Sequence, residues 1–227
     1  MYVVIWGIVA AVILLMLLPS IGLNVIFLAL GIILALLFVK RNSDLKKNIY
    51  KMPEDALHIT NVDKGGVFKL TGVGDNFEEL NLKVLAKHLY QEGDFYWYEL
   101  ECDKGDDEKV WVEVEDDDET VVSVVLKKMK LSDINTSQSQ LQHIDDEESG
   151  SVSYKGISYN YQESDEAIFY RFCDDKKPEK FYYWDFRKGN YSISVEKWAE
   201  KEYQVFYSQI MKPSQVIVYS NKANNEG

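Results

Sequence analysis

The chain has 227 residues, 46% of them hydrophobic, and its 37 acidic against 25 basic side chains give a formal net charge of −12. An acid excess of this kind argues against nucleic-acid binding, which needs clustered Lys and Arg to displace phosphate counterions. Two cysteines, Cys102 and Cys173, are too few for a disulfide framework and read as free thiols in a reducing compartment.

From Tyr2 to Val39 no side chain is charged, and only Pro19-Ser20 and Gly22-Leu23-Asn24 interrupt the apolar run. As helices, Tyr2 to Leu18 reaches about 25 Å and Ile21 to Val39 about 28 Å, against a hydrocarbon core roughly 30 Å thick. The segment therefore reads as a two-span transmembrane α-hairpin over 1–41, not as a secretory signal, since it lacks a basic start and a small-residue cleavage site. Lys40, Arg41, Lys46, Lys47 and Lys51 crowd the exit of the second span. Such a collar predicts a multi-pass protein of the cell membrane with both termini cytoplasmic and the lipid bilayer as its first partner. Gly7 with Ala11, and Gly31 with Ala35, have the four-residue spacing that lets helix backbones approach closely, and folding the run about Ile21 brings these pairs level.

All 37 acidic residues and 23 of the basic ones lie beyond Arg41, which leaves that part of the chain at −14. Residues 42–52 form a basic juxtamembrane segment, with a short helix expected from Asn42-Ser43-Asp44 to the stop at Pro53. The pattern then becomes mainly β. Strands are expected at Gly65 to Leu70, Phe95 to Cys102, Val110 to Val114 and Val121 to Leu126, with a short helix or loop over Asn76 to Leu85. Ser132 to Gly150 is polar and rich in Ser and Gln, so 135–150 reads as a linker between a first β unit at 53–134 and a second at 151–219. In the second unit, strands are expected at Val152 to Tyr161, Ala167 to Cys173, Phe181 to Phe186 and Gln215 to Tyr219. A short helix is expected from Ser194 to Tyr203, and a disordered tail at 220–227.

A shift of 71 residues superposes Cys102-Asp103 on Cys173-Asp174 and Val110-Trp111-Val112 on Phe181-Tyr182-Tyr183, and Leu131-Ser132-Asp133-Ile134 is echoed by Pro213-Ser214-Gln215-Val216. The fold class that follows is a transmembrane hairpin plus two related β-barrel or β-roll-like units with short helices.

Alternation in the first unit puts Tyr98, Leu100, Cys102, Val110, Val112 and Val114 on one face and Trp97, Glu99, Glu101, Trp111, Glu113 and Glu115 on the other. Like charges on neighbouring strands destabilise. Solvent and salt, a basic protein partner or a bound cation would each offset them, with the two tryptophans offering apolar contact to a partner. The same shift makes Tyr170, Phe172, Tyr182, Trp184 and Phe186 an aromatic row, read as core or, if exposed, as a binding surface.

Catalytic and metal signals are weak. His58, His88 and His143 stand far apart with no ligand spacing, the acidic loops lack the pattern of a calcium loop, and Gly72-Val73-Gly74 is not a dinucleotide fingerprint. Both cysteines lack a base and are expected to point into apolar faces. No cofactor, metal or catalytic residue is assigned.

The segments Lys64-Gly65-Gly66-Val67, Trp97-Tyr98-Glu99-Leu100-Glu101, Trp111-Val112-Glu113-Val114-Glu115, Tyr183-Trp184-Asp185-Phe186 and Val195-Glu196-Lys197-Trp198 resemble an uncharacterised bacterial domain-of-unknown-function family over most of 53–219. The resemblance implies a membrane-associated companion of membrane-stress or membrane-maintenance systems, with no activity to carry over. The first expectation is a membrane-anchored cytoplasmic interaction module whose acidic face docks a protein. The alternatives are a small-ligand or enzymatic domain using a cleft between the β units, and an accessory subunit of a channel or transporter.

Overall fold

A computed structural model describes residues 56–105, 108–117, 119–199 and 203–222. The expected hairpin at 1–41, with Gly7, Ala11, Gly31 and Ala35, and the basic segment at 42–52 lie outside these residues. Among the described residues no helix is long and apolar enough to cross a membrane.

The described residues form eleven strands in chain order: β1 (Gly65–Val73), β2 (Glu78–Glu92), β3 (Phe95–Asp103), β4 (Lys109–Asp116), β5 (Thr120–Met129), β6 (Ser151–Tyr154), β7 (Ile157–Tyr170), β8 (Pro178–Lys188), β9 (Tyr191–Trp198), β10 (Gln204–Met211) and β11 (Val216–Lys222). A helix, α1 (Gln138–Asp146), separates β5 from β6. The strands form one antiparallel sheet in the order β11-β1-β2-β3-β4-β5-β10-β9-β8-β7-β6. One further pairing, residues 89–91 of β2 with 168–170 of β7, joins the two arms. It closes β2 to β5 and β7 to β10 into an eight-stranded ring, a size that either fills with side chains or encloses one small ligand.

Two bulges decide which way the long strands face. In β2, Val84 opposes Cys102 and Ala86 opposes Glu101, so Leu85 is the extra residue. Before it Leu82 and Val84 join an apolar cluster with Phe68, Leu70, Leu100, Cys102, Val112 and Val114 on the outside of the ring. After it His88 and Tyr90 oppose Glu99 and Trp97 on the inside. β7 repeats the device, with Tyr161 opposite Phe186 and Glu163 opposite Asp185. Its outer cluster contains Tyr159, Trp184, Phe186, Ile193, Val195 and Val205. Each half thus runs a hairpin over the outer face of its own three following strands, β1–β2 over β3–β5 and β6–β7 over β8–β10.

The structure corrects several expectations. Residues 53–134 and 151–219 are not two separate barrels, because their strands share one sheet and one ring. The repeat is real as a plan of five strands, but a shift of 71 lays β3–β4 on β7–β8, whereas the bulges place β3–β4 in correspondence with β8–β9. The echo of 131–134 at 213–216 is sound: both start as 3-10 turns, one after β5 and one after β10. The segment at 135–150 is not a free linker, since α1 is capped by Ser137 and buries Leu141 and Ile144 in the second outer cluster. Within Asn76 to Leu85, β2 begins at Glu78 after a turn, and Ser194 to Trp198 belongs to strand β9. Ser220 to Lys222 belongs to β11.

Gln209 of β10 ties the β1–β2 turn to the ring. Its amide donates to the Gly72 carbonyl (3.0 Å) and accepts from the Gly74 N–H (2.7 Å). Both glycines have positive φ, 75° and 65°, which the turn requires and most side chains resist.

Candidate functional site

Antiparallel register assembles the inside of the ring. Glu99 lies opposite Glu113, Trp97 opposite Glu115, and Glu101 opposite Trp111. Across β8 and β9 the inward positions are Phe181 opposite Trp198, Tyr183 opposite Glu196, and Asp185 opposite Ser194. These side chains and those of the remaining ring strands line a cavity of about 430 Å³. Its wall holds eight acidic residues (Glu92, Glu99, Glu113, Glu115, Asp117, Glu163, Asp185, Glu196), seven aromatic ones and no basic one. A second cavity of about 400 Å³ shares Tyr90, Glu99, Trp111, Val125, Glu196 and Phe206 with the first and opens among His88, Lys109, Lys128 and Arg171. The lumen is therefore acidic in its body and mixed in charge toward one end.

One wall is an aromatic stack. Tyr90 lies over Trp97 with centroids 5.3 Å apart, Phe169 tilts against Tyr90 at 4.9 Å, and Phe181 stacks on Trp198 at 4.5 Å. The wall formed by β5, β9 and β10 carries small residues at Val125, Ser194 and Ser208, and this difference in size leaves the space open.

The carboxyls are only partly satisfied by the protein. Tyr183 donates to Glu92 (2.5 Å), Trp198 Nε1 donates to Glu196 (2.7 Å), and Tyr90 donates to Glu99. Asp185 bonds to Ser194, while its Oδ1 is buried with no hydrogen-bond partner. Burial, reinforced by neighbouring carboxylates, pushes Glu99 up to about 8 and Asp185 to about 7, and burial pushes Glu196 to about 7. Glu113 is held well above the carboxylate range by burial and then by Glu115, Asp185, Glu99 and Glu196, with no cation in opposition. Burial also raises Glu115 and Glu163.

Toward the mixed end the balance reverses. Lys109 sits 2.5 Å from Glu101 and lowers its pKa through a hydrogen bond. His88 is buried, its pKa lowered by burial, and its Nδ1 accepts the Phe172 N–H at 3.0 Å. Among the described residues no cluster of His, Cys, Asp or Glu is arranged to hold a metal ion.

All six residues of the predicted acidic face, Trp97, Glu99, Glu101, Trp111, Glu113 and Glu115, do come together. They line the inside of a ring, with Trp111 38% exposed and the carboxylates half-buried. The aromatic row divides. Trp184 and Phe186 are core, Tyr182 packs beside them and donates to Asp145 (2.8 Å), Tyr170 donates to Gln91 (3.0 Å), and Phe172 is exposed at positive φ. The shift of 71 pairs Glu113 with Trp184, which faces outward, and a register one residue off turns every side chain to the wrong face. Cys102 is buried in the apolar cluster as expected, whereas Cys173 is exposed.

The inward residues of the second half were missed. Alternation carried the signal for them: Tyr183 and Asp185 lie between Tyr182, Trp184 and Phe186, and Ser194, Glu196 and Trp198 alternate with Ile193 and Val195. Reading Ser194 as a helix cap hid that second pattern.

A family model described as a domain of unknown function, DUF4178, matches residues 77–213. No curated protein and no solved structure matches the chain. The match takes in every strand of the ring and more than half of the chain, and the chain therefore belongs to the DUF4178 family.

Proposed function

We propose that this chain is a small-ligand-binding protein, held at the cell membrane by its apolar segment at 1–41, that takes its ligand into the lumen of the ring. The observation that carries the reading is the cavity of about 430 Å³, a volume in the range of small-molecule sites, lined by aromatic walls with polar groups converging from seven of the eight strands. A filled interface between the halves would have left no room for a ligand. Membrane anchorage is supported by the uncharged run from Tyr2 to Val39 and the basic residues that follow it. The inward placement of Trp97, Glu99, Glu113 and Glu115 favours this reading over a docked protein partner.

The test is mass spectrometry of small molecules released when the purified full-length protein is denatured, for the wild type and for Ser194→Phe, which fills the lumen. Circular dichroism and the unfolding midpoint establish that the variant keeps its fold. A compound near one equivalent in the wild type and absent from the variant is the expected result. Equal content in both, or none in either, would overturn the reading.

A further inference from the structure

Resting on that reading, we infer that the lumen ligand is a small organic cation, an alkylammonium or quaternary ammonium compound. Three independent features converge on this class. The first is charge: the cavity wall carries eight acidic side chains and no basic one. Glu113 has four carboxylates as its electrostatic neighbours and no cation acting on it, while Lys128 acts only from a distance on Glu99 and Glu196, and Arg187 on Glu115. A bound positive charge would offset them.

The second feature is an atom left over. Asp185 Oδ1 is buried at the cavity wall without a hydrogen-bond partner, a state that costs free energy unless something donates to it. An alkylammonium group that keeps N–H bonds is a donor with no acceptor, and so fits an oxygen that has no donor of its own, whereas a quaternary ammonium group would be held by charge and the aromatic faces alone.

The third is the aromatic wall. Trp97, Tyr90 and Tyr183 stand within the same cavity as the carboxylates. Faces of such rings attract cations, and most strongly those whose hydration is weak, such as alkylated ammonium groups. A bare metal ion would leave most of 430 Å³ unfilled and make no use of the rings. An anion would meet the acidic wall directly.

The test is isothermal titration of the full-length protein, freed of bound small molecules, with butylammonium, tetramethylammonium and 1,6-diaminohexane. The matched controls are 1,6-hexanediol, adipate and calcium chloride. The expected result is binding of at least one organic cation, at least tenfold weaker binding in Glu113→Gln, and no detectable binding of the controls. Trp97→Leu should weaken tetramethylammonium more than butylammonium, which a purely electrostatic site would not do. Binding of the diol or adipate with an affinity that Glu113→Gln leaves unchanged would overturn the cationic class while leaving the lumen as a ligand site. Binding of calcium alone, or of no probe, would also overturn it. If in addition no released compound distinguishes the wild type from Ser194→Phe, the lumen reading falls with it.

Discussion

The two faces of β3 and β4 are made by the same two stretches of backbone and have opposite physics. Outward, Leu100, Cys102, Val112 and Val114 are at most 1% exposed and pack beneath β1 and β2. Inward, Glu99, Glu113 and Glu115 line a cavity among aromatic rings. The outer face holds the fold together by burying apolar surface. The inner face works against the fold, since burial outweighs the cations acting on Glu99, Glu115 and Glu196, and none acts on Glu113. Folding strain concentrated on one face of an otherwise well-packed strand pair marks the place where a ligand would restore the balance.

That comparison is most easily broken on the outer side. Leu100→Ala should cost about 2–5 kcal/mol, the usual range for emptying a closed apolar site, in denaturant unfolding of the full-length protein in detergent. A loss near zero would mean that the outer cluster is not the stabilising core. On the inner side the sign should reverse. Glu113→Gln replaces a carboxyl that burial and four carboxylates hold against ionisation, and should raise the unfolding midpoint of the unliganded protein relative to the wild type by more at high pH than at low pH. Destabilisation of the size expected for Leu100→Ala would show that Glu113 is a structural partner and not a strained one.

Acidity sharpens the same contrast. In the folded protein Glu99 keeps its proton up to about pH 8, and Asp185 and Glu196 keep theirs to about pH 7, while in the unfolded chain these groups ionise near 4.5, 3.8 and 4.5. Between those limits the folded state binds more protons, so stability falls as pH rises. The contribution is fully present below about pH 4 and is lost as pH passes the folded values. Thermal unfolding should therefore show a higher midpoint at pH 5.5 than at pH 8.5, with a smaller difference in Glu99→Gln. The smallest effect lies farthest from the lumen. Ser137 caps α1 by accepting the Gln140 N–H at 3.3 Å, and Ser137→Ala should cost about 1 kcal/mol while leaving probe binding unchanged.

The strands were largely legible in the sequence because each outer face alternates with its inner one. Trp97 to Glu101 and Trp111 to Glu115 gave the correct strands and the correct pairing of faces. The destination of the acidic face was not legible. A polar side of a strand looks the same whether it meets bulk water or an enclosed cavity, and only the short β2–β7 pairing at 89–91 and 168–170 decides between them. The second half was obscured further by its repeat. The hairpins match by composition at a shift of 71, but the bulges at Leu85 and Gln162 set the true correspondence, and a bulge leaves little trace in residue type. At β9, Ser194 has the residue type of a helix cap and the position of a lumen hydroxyl.

A ligand-binding lumen requires that the acidic face of β3 and β4 be enclosed. The direct measurement is a carbon-13 titration of the glutamate side-chain carboxyls in the unliganded full-length protein, with the Glu99 signal identified by its loss in Glu99→Gln. Enclosure predicts a midpoint near pH 8. A midpoint near the ordinary value of 4.5 would place Glu99 on an open, water-covered sheet and contradict the lumen on which the proposed function rests.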